Sequence, residues 1–65
     1  MEVRLNGELA EIASSSVKDL LVELGLEQKK IAVELNRQVL RRETFAETLL
    51  NVGDEIEIIH FVGGG

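Results

Sequence analysis

Residues 55–62 read EIEIIHFV, and their alternation decides the fold. Ile56 and Ile58 fall on one side of an extended chain, Ile59 and Phe61 on the other. A strand that is apolar on both sides belongs in the middle of its sheet. VGDE, residues 52–55, reads as the turn that feeds it. Gly63, Gly64 and Gly65 follow it. Glycine has no Cβ, buries almost nothing and loses the most freedom on ordering, so this tail adds nothing to a core. The expected division is a globular part over 1–62 and a mobile Gly-Gly-Gly tail over 63–65.

Working outward, MEVRLN (1–6) also alternates, with Met1, Val3 and Leu5 on one face. Asn6-Gly7 is a strong hairpin signal, because both residues tolerate positive φ. ELAEIA (8–13) is the return strand, and Leu9 and Ile12 cannot share a face at period 2, which predicts a bulge or an early end. SSSVKDLLVELGL (14–26) carries the marks of a helix. Ser16 is placed to cap it, with Asp19 three residues on as an acidic variant of the capping box. Val17, Leu20, Leu21 and Leu24 form its apolar stripe. Gly25 supplies the left-handed residue of a Schellman ending, with Leu26 as its hydrophobic contact.

KKIAVELN (29–36) puts Ile31, Val33 and Leu35 on one face and ends in an Asn36-Arg37 turn. QVLR (38–41) is a short edge strand flanked by Arg41 and Arg42. In RETFAETLLN (42–51), Phe45, Leu49 and, on a wider reading, Leu50 are candidates for a turn of helix that closes the core. The order is strand, strand, helix, strand, short strand, closing turn, strand. One helix covers one sheet face and leaves the other open. The first and last strands become parallel neighbours across a long crossover. That is an α+β fold of the β-grasp, ubiquitin-like type, with a mixed sheet of four to five strands and one main helix on one face.

Composition narrows the function. A chain of 65 residues buries only ~60% of the surface it exposes unfolded. It has no cysteine and a single histidine, so a disulfide, a thiolate nucleophile and a zinc–thiolate site are excluded. Lys and Arg number 7 against 12 Asp and Glu, a net charge of −5. That argues against nucleic acid as partner and suits docking to a basic patch on another protein. The N-terminal stretch lacks the marks of a signal peptide, and the apolar runs are too short to cross a bilayer, so a cytoplasmic protein is expected.

VGDEIEI (52–58), the terminal HFVGGG (60–65) and the segment ELNRQVLRRETF (34–45) together resemble the ubiquitin-like sulfur carriers of thiamin biosynthesis, the ThiS family. The likeness covers the whole chain, and its most specific part is the Gly-Gly end after an apolar strand. Leu40 stands where many members carry proline before the arginine, a neutral departure. The small subunit of molybdopterin synthase and ubiquitin-like modifiers share the Gly-Gly end, but the length and the HFVGGG ending favour the thiamin carrier.

The resemblance implies a carrier whose cargo rides on the carboxylate of Gly65, with no cofactor of its own. A partner adenylating enzyme, using ATP and magnesium, activates that carboxylate. A persulfide sulfur originating from cysteine through a desulfurase displaces AMP, directly or through an acyl disulfide. Thiazole synthase then accepts the sulfur from the thiocarboxylate. The physics suits this scheme: three extended residues reach ~10 Å, and Gly63 and Gly64 pass through a channel where a Cβ would clash.

Phe61 and Val62 either pack in the core or present an apolar docking patch beside the tail. A docking surface is expected on the open sheet face, taken as free of charge. His60 reads as a half-exposed strand residue rather than a catalytic group. Arg41 and Arg42 read as a solvated edge in preference to a site for an acidic partner. Ser14 to Ser16 belong to the helix cap. With one His and no Cys, an enzyme is the weakest reading; a conjugated modifier and a plain interaction module rank between it and the carrier.

Overall fold

A computed structural model of the chain describes residues 1–61; Val62 and the glycines 63–65 lie outside the described residues, and with them the expectation of a mobile tail. Five strands and one helix follow the expected order: β1 (Glu2–Leu5), β2 (Glu8–Glu11), α1 (Val17–Glu23), β3 (Ile31–Leu35), β4 (Gln38–Leu40), a 3₁₀ turn (Arg42–Thr44) and β5 (Glu55–His60). The sheet runs β2-β1-β5-β3-β4, with β5 in the centre. β5 is parallel to β1 and antiparallel to β3. This is the β-grasp arrangement.

The core lies between α1 and one face of the sheet. Val17, Leu20 and Leu21 of the helix are buried in one cluster with Val3, Val33, Ile56 and Ile58 of three adjacent strands. Ile12, Phe45 and Leu50 close its margins. β2 does end early. Ala10 faces Val3 across the ladder and Ile12 bonds back to Met1, so plain alternation puts Ile12 on the core face and leaves Leu9, opposite Arg4, exposed.

Two expected core residues are displaced. Leu24 is 39% exposed, because it is the C-cap of a helix whose Schellman ending forms at Gly25 and Leu26, as expected. Gly25, at φ 72°, donates to the Val22 carbonyl at 3.0 Å, and Leu26 donates to that of Leu21 at 2.7 Å. These two bonds stop the helix at Glu23 and turn Leu24, its C-cap, away. Leu49 is 66% exposed; the expected turn of helix is present as a 3₁₀ turn, Arg42–Thr44, but it ends before Leu49. Thr48, Leu49 and Leu50 instead run alongside Ser15–Val17. The bonds Val17 N–H to Thr48 O, at 3.0 Å, and Leu50 N–H to Ser15 O, at 2.9 Å, point Leu50 inward and Leu49 out.

Both hairpin turns carry asparagine in the left-handed region, Asn6 at φ 50° and Asn36 at φ 51°. Each also holds the central strand. β1 pairs with β5 over only two residues, Arg4 with Glu55 and Leu5 with Ile56. Asn6 extends that ladder through its side chain, whose Oδ1 accepts from Ile58 N–H at 2.7 Å. On the other flank Asn36 Oδ1 accepts from Glu55 N–H at 3.0 Å, and its Nδ2 donates to Asp54 Oδ1 at 3.1 Å. Glycine would satisfy either turn but would leave these strand donors without their side-chain acceptor.

The helix start follows its sequence marks. The Ser16 hydroxyl accepts from Asp19 N–H at 3.1 Å. At the other end Glu23 reaches back to the β2–α1 connection, where it accepts from the Ser14 hydroxyl and from Ala13 N–H. The Ser14 hydroxyl first, and the Ala13 N–H second, hold its carboxyl below the ordinary glutamate value. A lowered carboxyl pKa means that the fold favours the charged form. That stabilisation is full above the ordinary glutamate range and is lost as pH falls through the lower, folded value. Glu23→Gln should therefore melt slightly below the parent at neutral pH, the effect being small at an exposed group. The gap should close in acid, and a gap that stays constant in acid would assign the loss to packing instead.

Candidate functional site

The site begins where β5 leaves the sheet. His60 pairs with Ile31, and Phe61 N–H donates to Lys30 O at 3.2 Å, so the strand stays tied to β3 up to the root of the tail. Phe61 is 58% exposed. Of its two expected places, the structure therefore gives Phe61 the surface and not the core. His60 is exposed at the same edge. Gly63, Gly64, Gly65 and Val62 are outside the described residues.

Strand alternation puts Phe61 on the open face together with Ile59, Glu57 and Glu55. Ala32 lies opposite Ile59, and Glu34 lies opposite both Glu57 and Val39. Beside the tail this face carries Ala32, Ile59 and Phe61, the last two exposed, with Lys30 and Arg41 adjoining them; the exposed Val39 lies one row further back, level with Glu34 and Glu57. The expectation of an uncharged face fails, most of all over the half away from the tail. Glu57 faces Glu34 directly, and Glu55 lies beside Arg4 and 3.6 Å from Arg37 Nε. Carboxylates placed opposite each other repel, which disfavours burying that half against an apolar or acidic surface.

The serines serve the fold. Ser16 caps α1 and Ser14 donates to Glu23, so neither is poised as a nucleophile. Among the described residues no three His, Cys, Asp or Glu side chains stand together as a metal site. No helix there is long and apolar enough to cross a membrane. One grouping escaped the sequence reading: Lys29 and Lys30, at the start of β3, lie at the same end of the sheet as Arg41 and Arg42. The signal was present as two basic doublets placed almost symmetrically about the Asn36-Arg37 turn, which an antiparallel hairpin brings together.

Fold and site define a small ubiquitin-like domain whose central strand opens, through an exposed apolar root, into a glycine tail. The ThiS family profile matches residues 3–65, and the chain belongs to the ThiS family. It is 42% identical over 52 residues to the sulfur carrier protein ThiS of Bacillus subtilis, covering 80% of this chain and 79% of that one. It is 41% identical over 66 residues to a thiazole synthase of Paramagnetospirillum magneticum, matching 100% of this chain but spanning only 20% of that protein's length. The crystal structure of a thiamine biosynthesis protein (ThiS) from Geobacter metallireducens superposes with a TM-score of 0.85 at 36% identity, each chain covered over 100% of its length.

One consequence concerns Phe61. Its ring is mostly in water, so Phe61→Ser should move the melting temperature little, within about 0.5 kcal/mol of the parent's stability. The same change should weaken partner binding. A large drop in melting temperature would place the ring in the core and the docking patch elsewhere.

Proposed function

We propose that this chain is a sulfur carrier for thiamin (thiazole) biosynthesis, holding sulfur as a thiocarboxylate on Gly65. The observation that carries the reading is the exit of the central strand: Phe61 is tied to β3 by its backbone yet exposed by its side chain, and Val62-Gly63-Gly64-Gly65 follow it. The domain is hydrogen-bonded up to Phe61, one residue before the side-chain-free glycines that are to be threaded into another protein.

Attack on a carboxylate needs one of its oxygens made into a leaving group. A partner adenylating enzyme, with ATP and magnesium, forms the acyl adenylate at Gly65 and releases pyrophosphate. The terminal sulfur of a persulfide, derived from cysteine by a desulfurase, attacks the Gly65 carbonyl and displaces AMP. An acyl disulfide formed in this way is reduced by a thiol, which leaves the thiocarboxylate. Thiazole synthase takes the sulfur from it. The thiazole synthase relatives support that last partner, since a domain like this one makes up a fifth of each of those chains. ATP and magnesium belong to the partner; this chain is a substrate of its partner enzymes and not itself an enzyme. Gly63 and Gly64 are the residues the channel reads, and Phe61 and Val62 dock beside its mouth. The setting is the cytoplasm, with no role for nucleic acid or membrane.

The test is the intact mass of the protein taken from its native cells. A shift equal to one oxygen-to-sulfur exchange at the terminus is expected. Higher-mass conjugates through Gly65 mean a modifier instead, and an unmodified mass under thiamin-starved growth would overturn the carrier reading.

A further inference from the structure

This acidic protein has a basic end, and that end is where the tail begins. Four of the seven Lys and Arg residues are Lys29, Lys30, Arg41 and Arg42. Backbone and side-chain bonds gather their positions around Phe61. Phe61 N–H donates to Lys30 O at 3.2 Å, and Arg42 Nη2 donates to Lys29 O at 3.3 Å. The β3–β4 pairing, with Val33 opposite Leu40, carries Arg41 and Arg42 to the same edge. All four are exposed. The acids at this end are few: Glu27, and Glu43, whose Oε2 lies 3.7 Å from Arg41 Nη2. That pair is highly exposed on both sides and neutralises little. Arg42 also lies over the Phe45 ring, 5.8 Å from its centroid, a contact that favours this placement of its guanidinium.

A surface this polarised orients the molecule as it approaches a partner. With the body acidic and the tail end basic, the tail is presented first to a negative surface. The anion it meets is either acidic side chains or the phosphates of the nucleotide. Reach separates the two. The four residues from Val62 to Gly65 span at most roughly 13–14 Å. With the tail threaded, the reacting carboxylate lies at the far end of that span and the cations stay at its root, outside the channel. Resting on the carrier reading above, the geometry points to Lys29, Lys30, Arg41 and Arg42 forming a collar that docks on an acidic rim around the mouth of the channel taking up the tail. Its partner is a protein surface rich in Asp and Glu, on the adenylating enzyme.

Rim charges act on encounter, so they change association and its salt dependence more than the chemical step. The triple variant Lys29→Gln, Lys30→Gln, Arg41→Gln leaves Arg42 and its Phe45 contact in place. The single variant Lys30→Glu reverses charge beside Phe61 and serves if the triple folds poorly. Steady-state adenylation is measured for each with the adenylating enzyme and ATP across a range of salt. At low salt kcat/KM should fall about tenfold, almost all of it in KM, and the gap should narrow as salt rises. Neutralising acids at the channel mouth of the enzyme should remove the parent's advantage. Unchanged kcat/KM and salt slope in both variants overturns the collar while leaving the carrier reading intact. A loss in kcat at constant KM, or binding of ATP to these residues without enzyme, makes the nucleotide the occupant and overturns the acidic rim. If the parent itself is not adenylated, the carrier reading falls and the collar falls with it.

Discussion

Leu21→Asp should leave this protein largely unfolded at temperatures where the parent is fully folded. Leu21 is 2% exposed, and it sits in the middle of the helix face that covers β1, β5 and β3. The change removes a large apolar side chain, which alone costs about 2–5 kcal/mol in a core. It also sets a carboxylate in the buried cluster, on the side of Leu21 that faces Phe45, where burial adds up to several kcal/mol more unless the group takes up a proton or reaches Lys18 or Arg42 at the rim. A chain of 65 residues has roughly 3–10 kcal/mol of stability in all, at about 0.05–0.15 per residue. The adjacent residue gives the control. Val22 is 48% exposed, so Val22→Asp should stay within about 0.5 kcal/mol of the parent. Thermal melts followed by circular dichroism read both. Equal melting of the two variants would mean that α1 does not lie on the sheet by this face.

The contrast between Leu21 and Leu24 shows where sequence pattern stops being informative. Both sit on the apolar stripe by spacing, and Gly25 marks the helix stop in sequence and structure alike. What the pattern omits is that the two Schellman bonds consume the last turn, so a residue at stripe spacing can stand past the final packed turn. Leu49 and Leu50 pose the same difficulty. Neither period 2 nor period 3.6 holds across residues 42–51, and which leucine points inward is set by backbone bonds to Ser15 and Val17, remote in sequence. By contrast, the strands, both hairpin turns and the central place of β5 were legible, because alternation and turn chemistry are local. Parallel pairing of β1 with β5 then follows from one helix and one long crossover.

The site was legible unevenly. Parity alone puts Glu55 and Glu57 on the face of Ile59 and Phe61, so the charge on the open face could have been read from the sequence. That Glu34 faces Glu57 needed the β3–β5 register. The second duty of Asn6 and Asn36 was hidden for a related reason. A hairpin signal explains each asparagine fully, and the donor each one satisfies belongs to a strand 19 or 52 residues away. The paired basic doublets were likewise plain as residues and invisible as a cluster until the Asn36-Arg37 turn folded them together.

At the terminus itself, Gly64→Val should abolish thiocarboxylate formation, and so should one residue added after Gly65, with thermal stability unchanged in both. The two changes fail for different reasons. Valine brings a branched Cβ that a channel shaped for glycine does not admit, and it stiffens the approach to the reacting carbonyl. An added residue puts the Gly65 carboxyl into a peptide bond and carries the free carboxylate past the position where ATP is held. A displacement of even ~1 Å from the reactive geometry costs ~100-fold in rate, and one residue moves it by ~3.3–3.6 Å. Among the described residues the core is built from positions up to Ile58, so neither change is expected to alter what holds the fold, and the melting curves should overlay the parent's. The assay is intact mass after incubation with the adenylating enzyme, ATP and a sulfur source. Conversion of the extended protein at the parent's rate, without trimming back to Gly65, would show that the Gly65 carboxylate is not the atom that carries the sulfur. A valine variant that is converted normally but melts early would mean that the glycines serve the fold instead.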